Sequence, residues 1–416
     1  MMFSMGSPPS LKSNVILKGS AEKENSVGVR FRWFITSYAV IFLRLMWLVP
    51  CRASLFSSGA KVWFAIKGAC GFSLLALHGR MFVVLGVLIL NTGTPDAPTP
   101  EAIRPYLKQF LSDRNLINVP RLIWKPVLNF CILPNRPKKT AAHYQRFWTE
   151  EGSPFLLTSL VQRDKLRARL TELTGEPVAV ELGMRYGNPS TKSAIEALLD
   201  AGVSRIVVVP LYPQETKACA GTCLEEFERA FGEAMAERPK RMRPEVRTIS
   251  HYWNAPGYLD ALAQSVRDAW SYEPGKKLVV SFHSIPVSFQ AAGDTYPEST
   301  KATAEGLASK LGIAPEDVVL TYQSRFDSRK WLGPFLGPEL RRLAAEGAHD
   351  VAVVCPIFSV DCIETSYEVG IEAREEFVSA AREAGTEAPN FTYIPALGAA
   401  DSIIGVLANL IMAKGA

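Results

Sequence analysis

The chain has 416 residues, 48% of them hydrophobic, and a formal net charge of +5. A chain of this length and composition can bury a large core, and its length predicts two or three structural units. The charge is unevenly distributed: residues 1–80 hold ten basic and two acidic residues, whereas residues 81–416 hold 36 basic and 39 acidic residues. The larger part of the chain is therefore mildly acidic, which argues against a nucleic-acid binder.

The first 80 residues differ from the rest of the chain. They show no regular alternation of strands and helices. They contain the apolar run WFITSYAVIFLRLMWLVP at 33–50, which Arg44 interrupts and which is short for a membrane span. Their shortage of acids is typical of a presequence, whereas MFVVLGVLILNTG at Met81 looks like a normal N-terminus. Residues 1–80 are therefore predicted to be an atypical extension: a wrongly chosen start, a presequence, a membrane anchor or a disordered segment.

From Met81 onward, apolar β-branched runs alternate with amphipathic helical stretches, which is typical of a parallel α/β sheet. The predicted strands lie at 86–93, 177–189, 205–213 and 247–253 in the first half, and at 277–286, 317–326, 350–359 and 391–398 in the second. The last two intervals between strands nearly match, with 28 and 42 residues against 33 and 41. This pattern predicts an internal repeat of two Rossmann-like lobes, 81–255 and 256–416, with a cleft between them.

The first interval between strands breaks this match, with 91 residues in the first half and 40 in the second. Roughly fifty residues are therefore inserted at about 94–150, including the apolar stretch YLKQFLSDRNLINVPRLIWKPVLNF and the basic NRPKK. The insert is predicted to be helical. It forms either a lid over a flat apolar ligand or an ordinary helix pair that covers the sheet.

Most of the common catalytic motifs are absent from the sequence. No G-x-G-x-x-G follows a predicted strand, and there is no P-loop, G-x-S-x-G or H-E-x-x-H. The seven cysteines form no C-x-x-C pair and indicate reduced thiols in a cytosolic-type compartment. Cys219 and Cys223 have no nearby residues that complete a metal site. Cys355 is predicted to lie in the core, and Cys362 is either a core residue or a soft metal ligand.

One histidine stands at the end of a predicted strand. His283 ends the run LVVSFH, and ligands of open α/β sheets bind outside the carboxyl ends of their strands. The alternative is a buried histidine whose ring nitrogens bind the backbone. An acidic segment, FSVDCIETSYEVGIE, begins at the equivalent end of another strand in the same half. This second feature favours a functional role for His283.

The acidic segment places four carboxylates on one face of a predicted helix. Asp361 and Glu364 fit a capping box with Asp361 at the N-cap. Glu368 and Glu372 lie one and two turns further along, where the helix dipole no longer favours acids. They form either an exposed acidic face or, beside a cavity, a ladder of oxygens about 5–6 Å apart that suits a divalent metal or proton transfer.

Six motifs together resemble the ferrochelatase family: LILNTGTPDAPT, GMRYGNPS, VVVPLYPQ, SFHSIP, YQSRF…WLGP and FSVDCIET. They occur in order across 81–416 and are most similar to the proteobacterial, protoporphyrin-type enzymes. The resemblance implies a chelatase-like fold and insertion of Fe²⁺ into protoporphyrin IX to form protoheme, with release of two protons. It also implies that His283 and Glu364 hold the iron across the cleft and that His283 accepts pyrrole protons.

The resemblance assigns further residues to the site. Glu368 and Glu372 would extend the acidic path, and Arg136, Tyr144 and Trp331 would line the macrocycle. The sequence departs from the animal enzymes at Cys362, where these have a histidine. No cysteine follows it, so the C-terminal iron–sulfur cluster of the animal enzymes is not expected. The resemblance also implies no permanently bound cofactor.

The sequence leaves two alternatives to this activity open. The chain is otherwise a coproporphyrin or cobalt chelatase of the same fold, or a non-catalytic two-lobed protein that binds a divalent metal or a tetrapyrrole. A storage protein needs carboxylates but no proton acceptor, so His283 separates the two classes. The expected partners are a porphyrin and Fe²⁺ but no nucleic acid. The expected protein is a monomer or weak dimer in the cytoplasm, peripheral to the membrane with transient contact.

Overall fold

The computed structural model describes residues 84–117, 119–239, 243–325 and 329–415, together with the backbone of three strands between 52 and 77. These strands are β1 (Arg52–Ser58), β2 (Lys61–Gly68) and β3 (Gly71–Leu77), and they form an antiparallel sheet. They belong to the first of two compact units, and the second unit begins at Val83. These three strands were not predicted from the sequence. The apolar run at 33–50 lies outside the described residues, and the origin of the extension stays a prediction.

The second unit contains two four-stranded parallel sheets, as predicted. The first sheet consists of β4 (Leu85–Asn91), β5 (Ala179–Met184), β6 (Arg205–Pro210) and β7 (Glu245–Thr248), in the order β5-β4-β6-β7. The second consists of β8 (Lys277–His283), β9 (Val318–Gln323), β10 (Asp350–Val354) and β11 (Asn390–Ile394), in the order β9-β8-β10-β11. When the four strands of each half are numbered 1 to 4 along the chain, both sheets have the strand order 2-1-3-4. The equal orders confirm the predicted repeat.

The central strands β4, β6, β8 and β10 are mostly apolar and buried because both faces of each sheet are covered. Val87 and Ile89 of β4 enter one apolar cluster, whereas their neighbours Leu88 and Leu90 enter another. The second of these clusters also contains Val280 of β8. The two sheets therefore share one core.

Twelve α-helices are described in the second unit. They are α1 (Pro100–Leu111), α2 (Arg121–Pro126), α3 (Arg136–Gln145), α4 (Pro154–Thr174), α5 (Thr191–Asp200), α6 (Thr222–Ala236), α7 (Tyr258–Ala269), α8 (Val287–Ala291), α9 (Tyr296–Leu311), α10 (Leu336–Ala345), α11 (Arg374–Glu383) and α12 (Asp401–Gly415). π-Helical turns occur at Val127–Ile132, Lys217–Gly221 and Ile363–Ala373. None of the helices in the described part of the chain is long and apolar enough to cross a bilayer.

The last helix returns from the second half of the chain to the first sheet. Ile404 and Leu407 of α12 pack in the same apolar cluster as Val87 and Ile89. At the end of the helix, Arg247 donates a hydrogen bond of 2.6 Å to the carbonyl oxygen of Lys414. The predicted second lobe, 256–416, therefore ends in a helix that completes the core of the first sheet.

The insert is helical, as predicted, and has a small core of its own. Ile103, Leu107 and Leu128 are buried there. On its outer surface Leu122 and Phe130 are 92% and 81% exposed. Burial of one face of the insert thus leaves a second apolar face in contact with solvent.

Candidate active site

The carboxyl ends of both sheets face one cavity of about 830 Å³. In the strand order 2-1-3-4 the direction of winding reverses between strands 1 and 3, and ligands of open α/β sheets bind at that point. In the second sheet these strands are β8, which ends at His283, and β10, which leads to Glu364. In the first sheet they are β4 and β6, which are followed by Thr92 and Tyr212. All four residues line the cavity, so the repeat brings two binding edges together.

The remaining walls of the cavity are mostly aromatic. They include Tyr106, Phe110, Tyr144, Phe147, Phe155, Phe289, Trp331 and Phe358. Tyr144 and Trp331 were assigned to this site from the sequence. A cavity with aromatic walls and a few polar groups suits a flat apolar ligand.

Arg136 lies elsewhere, on the rim of a second cavity. This cavity has a volume of about 1310 Å³ and is lined by Arg136 and Lys139 of the insert, with Glu368 of the acidic segment. Tyr144 and Glu364 line both cavities. The second cavity therefore adjoins the first at Glu364 and has a basic rim.

The protonation state of His283 follows from its surroundings. The Nδ1 atom lies 2.6 Å from the carbonyl oxygen of Ser284, and a carbonyl only accepts, so Nδ1 carries the hydrogen. Burial lowers the pKa of His283, although the charge of Glu364 and the Ser284 carbonyl oppose this effect. The side chain is thus a neutral imidazole with Nε2 as its basic nitrogen.

The acidic segment is a π-helix rather than the predicted α-helix. It covers Ile363–Ala373 and continues as α11. The prediction that Asp361 is the N-cap is wrong, because Cys362 is the N-cap and forms a capping box with Thr365. The Asp361 carboxylate instead accepts hydrogen bonds from the Tyr393 hydroxyl and from the backbone N–H of Ala396 at 3.2 Å. These tertiary partners outcompete the local capping bond.

The three glutamates of the segment differ in environment. Glu364 lines both cavities, Glu368 lines the second cavity, and Glu372 is exposed. The Ser324 hydroxyl donates to the Glu368 carboxylate. Burial, reinforced by the charges of Glu364 and Glu372, nevertheless raises the pKa of Glu368 to about 8. The predicted acidic path through Glu368 and Glu372 stays a prediction. In the described parts of the chain, no group of three or more His, Cys, Asp or Glu side chains is placed to hold a metal ion.

Two of the cysteines also line the main cavity. Burial raises the pKa of the Cys219 and Cys362 thiols, and the charge of Glu364 acts in the same direction. Both side chains are therefore neutral thiols. Cys355 is buried in the core beneath β10, as predicted.

Several residues around the site were not predicted from the sequence. Tyr106 and Phe110 lie four residues apart in α1, and this spacing could have placed both rings on one helix face. The side chain of Gln323 donates a hydrogen bond of 2.8 Å to the carbonyl oxygen of Glu364. A polar residue at the carboxyl end of the buried strand β9 was the available signal.

Comparisons with known proteins identify the family of this chain. The family model described as Ferrochelatase matches residues 84–415. The ferrochelatase of Actinobacillus pleuropneumoniae serotype 5b (strain L20) is 42% identical over 330 residues, which are 79% of this chain and 98% of that protein. The ferrochelatase of Thioalkalivibrio sulfidiphilus is 43% identical over 330 residues, which are 79% and 86% of the two chains. Among solved structures, the sirohydrochlorin chelatase SirB from Bacillus subtilis subspecies spizizenii in complex with cobalt has 10% identity and a TM-score of 0.44, covering 79% of this chain and 94% of that one. The chain belongs to the ferrochelatase family.

Proposed function

We propose that this chain inserts Fe²⁺ into protoporphyrin IX to form protoheme, with His283 and Glu364 acting on the protons and the metal. One observation carries this proposal. A neutral imidazole and a carboxylate follow adjacent strands and line the same aromatic cavity. Metal insertion needs both groups, because two pyrrole protons leave the macrocycle while the cation loses its water ligands.

His283 is the proposed proton acceptor. Because the Ser284 carbonyl holds the hydrogen on Nδ1, the lone pair on Nε2 is the one that accepts a proton. A neutral imidazole acts as a general base near neutral pH. The low pKa of His283 also favours release of each proton after its transfer.

Glu364 is the proposed metal ligand, and Glu368 and Glu372 extend the path to solvent. Carboxylate oxygens replace the water ligands of a hard divalent cation. Glu368, with a pKa of about 8, exchanges protons readily near neutral pH. The exposed position of Glu372 supports its place at the outer end of this path.

The aromatic walls are proposed to bind the faces of the macrocycle, with Tyr144 and Trp331 among them. Arg136 lines the adjoining cavity with Lys139, so we assign it to the anionic edge groups of the porphyrin. Differential binding of a distorted ring would further lower the barrier to metal insertion.

An anaerobic insertion assay with the full chain tests the proposed function. Protoporphyrin IX and coproporphyrin are each supplied with Fe²⁺ or Co²⁺, and metallation is followed by porphyrin absorbance. We expect turnover that is fastest with protoporphyrin IX and Fe²⁺. Faster turnover with coproporphyrin or Co²⁺ would favour the alternative chelatases. Binding of porphyrin without turnover would favour a non-catalytic binding protein.

The apolar face of the insert supports a second proposal, that the protein contacts the membrane peripherally from the cytoplasm as a monomer or weak dimer. Leu122, Ile123 and Phe130 are exposed there, and a lipophilic substrate favours transient membrane contact. In sedimentation with anionic lipid vesicles, L122D/F130D should lose binding. The matched control L173D replaces an exposed leucine on α4 and should retain it. Equal binding of both variants would contradict this proposal.

A further inference from the structure

We propose that Gln323 is a positioning residue that fixes the main chain of Glu364 relative to His283. This inference rests on the proposed function, because it concerns the two groups that act on the metal and the protons. Gln323 is the last residue of β9 and is 5% exposed. It lies in register with His283, the last residue of the neighbouring strand β8.

The two ends of the Gln323 side chain have different partners. Its Oε1 accepts a hydrogen bond of 2.8 Å from the hydroxyl of Ser281 on β8, and the Cys355 thiol also points to it at 3.5 Å. Its Nε2 donates a bond of 2.8 Å to the carbonyl oxygen of Glu364. With its oxygen bound by two donors, the amide must present its N–H to the Glu364 carbonyl.

The main chain of Gln323 contacts the other side of the site. The backbone N–H of Ser284 donates a bond of 2.7 Å to the Gln323 carbonyl oxygen. One residue therefore binds the chain directly after His283 through its backbone and the chain at Glu364 through its side chain. The bond to Glu364 is partly buried and the Gln323 side chain is itself buried, so water has little access to these contacts.

The next residue strengthens this connection. Ser324 has a φ of +61°, which is uncommon for a residue other than glycine, and its hydroxyl donates to the Glu368 carboxylate. The end of β9 thus contacts the acidic segment at two successive residues. The first turn of the π-helix is held by β9 as well as by its own backbone bonds.

The effect on the reaction is expected in kcat rather than in porphyrin binding. Gln323 does not line the main cavity, so its replacement leaves the aromatic walls intact. A displacement of about 1 Å in a reacting group can lower the rate by roughly a hundredfold. We therefore expect Q323M, which keeps the length of the side chain, to lower kcat about tenfold to a hundredfold and to raise the KM for Fe²⁺. The KM for porphyrin should stay within about twofold.

The matched control is Q162M. Gln162 is also buried, at 1% exposed, and donates a bond of 2.7 Å to the carbonyl oxygen of Gly398 and a longer one of 3.5 Å to that of Ser359. Its replacement removes the same kind of bond, and Gln162 lines neither cavity. Q162M should lower the melting temperature as Q323M does but keep kcat within about twofold of the native value.

The variants are compared in the anaerobic Fe²⁺ insertion assay with the full chain. An inactive native chain would contradict the proposed function. An active native chain with equal kcat values for Q323M and Q162M would overturn only the positioning role of Gln323. S281A provides a milder test should Q323M not fold, and it should lower kcat a few-fold with an unchanged porphyrin KM. An unchanged kcat in S281A would also overturn the proposal. If the double variant S281A/Q323M folds, its kcat should equal that of Q323M alone. A kcat lowered by the product of the two single losses would contradict the proposed series of contacts.

Discussion

Replacement of Glu368 by glutamine should make the protein more stable, in a way that depends on pH. Glutamine is neutral and nearly isosteric, and its amide oxygen can accept the bond from Ser324. The native carboxyl has a pKa of about 8 in the fold against an ordinary value of 4.5. Between these two values the folded chain keeps a proton that the unfolded chain releases, so stability falls as the pH rises.

The magnitude follows from the size of this shift. Each pKa unit corresponds to about 1.4 kcal/mol, so ionisation of the unfolded chain alone costs the native fold about 3 kcal/mol at pH 7. Contact of the second cavity with solvent reduces this to about 2 kcal/mol. We expect E368Q to be more stable than the native chain by that amount at pH 7, and equally stable below about pH 4.5.

The assay is thermal unfolding of the full chain at several pH values. For the described unit, about 2 kcal/mol corresponds to a rise of about 3 °C in melting temperature. E372Q is the control, because Glu372 is exposed, and it should show no comparable pH-dependent gain. If E368Q were less stable than the native chain at pH 7, or if its gain did not grow with pH, the buried state assigned to Glu368 would be refuted.

Three further changes test other parts of the structure. D361A removes the acceptor for three hydrogen bonds and should cost about 2–3 kcal/mol in urea unfolding; a cost within ~0.5 kcal/mol would contradict the anchoring role. G93A should prevent folding or cost more than about 3 kcal/mol, because φ is +105° and a Cβ would lie 1.9 Å from the Tyr186 carbonyl oxygen; native-like unfolding would argue against this turn. Iodoacetamide should alkylate the exposed Cys131 before the half-buried Cys219, whose thiol has a raised pKa. Mass spectrometry of the modified peptides gives the order, and faster labelling of Cys219 would contradict its burial.

The elements that the sequence predicted correctly are those with local patterns. The central strands contain continuous apolar, largely β-branched runs such as RIVVVP and DVAVV, and burial on both faces favours such runs. His283 was predicted at the end of a strand and lies there. The repeat was predicted from matching intervals, and the equal strand orders of the two sheets confirm it.

The predictions that failed depend on contacts between distant parts of the chain. Asp361 fits a local capping box, but Tyr393, 32 residues later, binds its carboxylate. The apolar sequence of α12 indicates that the helix is buried but does not show that the first sheet covers it. The 3.6-residue spacing of the acids predicted an α-helix, whereas wider π-helical turns form at Ile363–Ala373. The contact of Gln323 with Glu364 joins the end of β9 to the π-helix and has no local signature.

The central claim is that His283 acts on the protons and Glu364 on the metal in one reaction. The most direct test measures porphyrin binding and Fe²⁺ insertion for a replacement of each residue. Protoporphyrin binding is measured by fluorescence quenching, and anaerobic Fe²⁺ insertion is measured on the same full-length samples. H283A and E364Q should each bind porphyrin within about twofold of the native affinity and lose at least about a hundredfold in kcat. Native insertion rates in H283A, at an unchanged porphyrin affinity, would contradict the account.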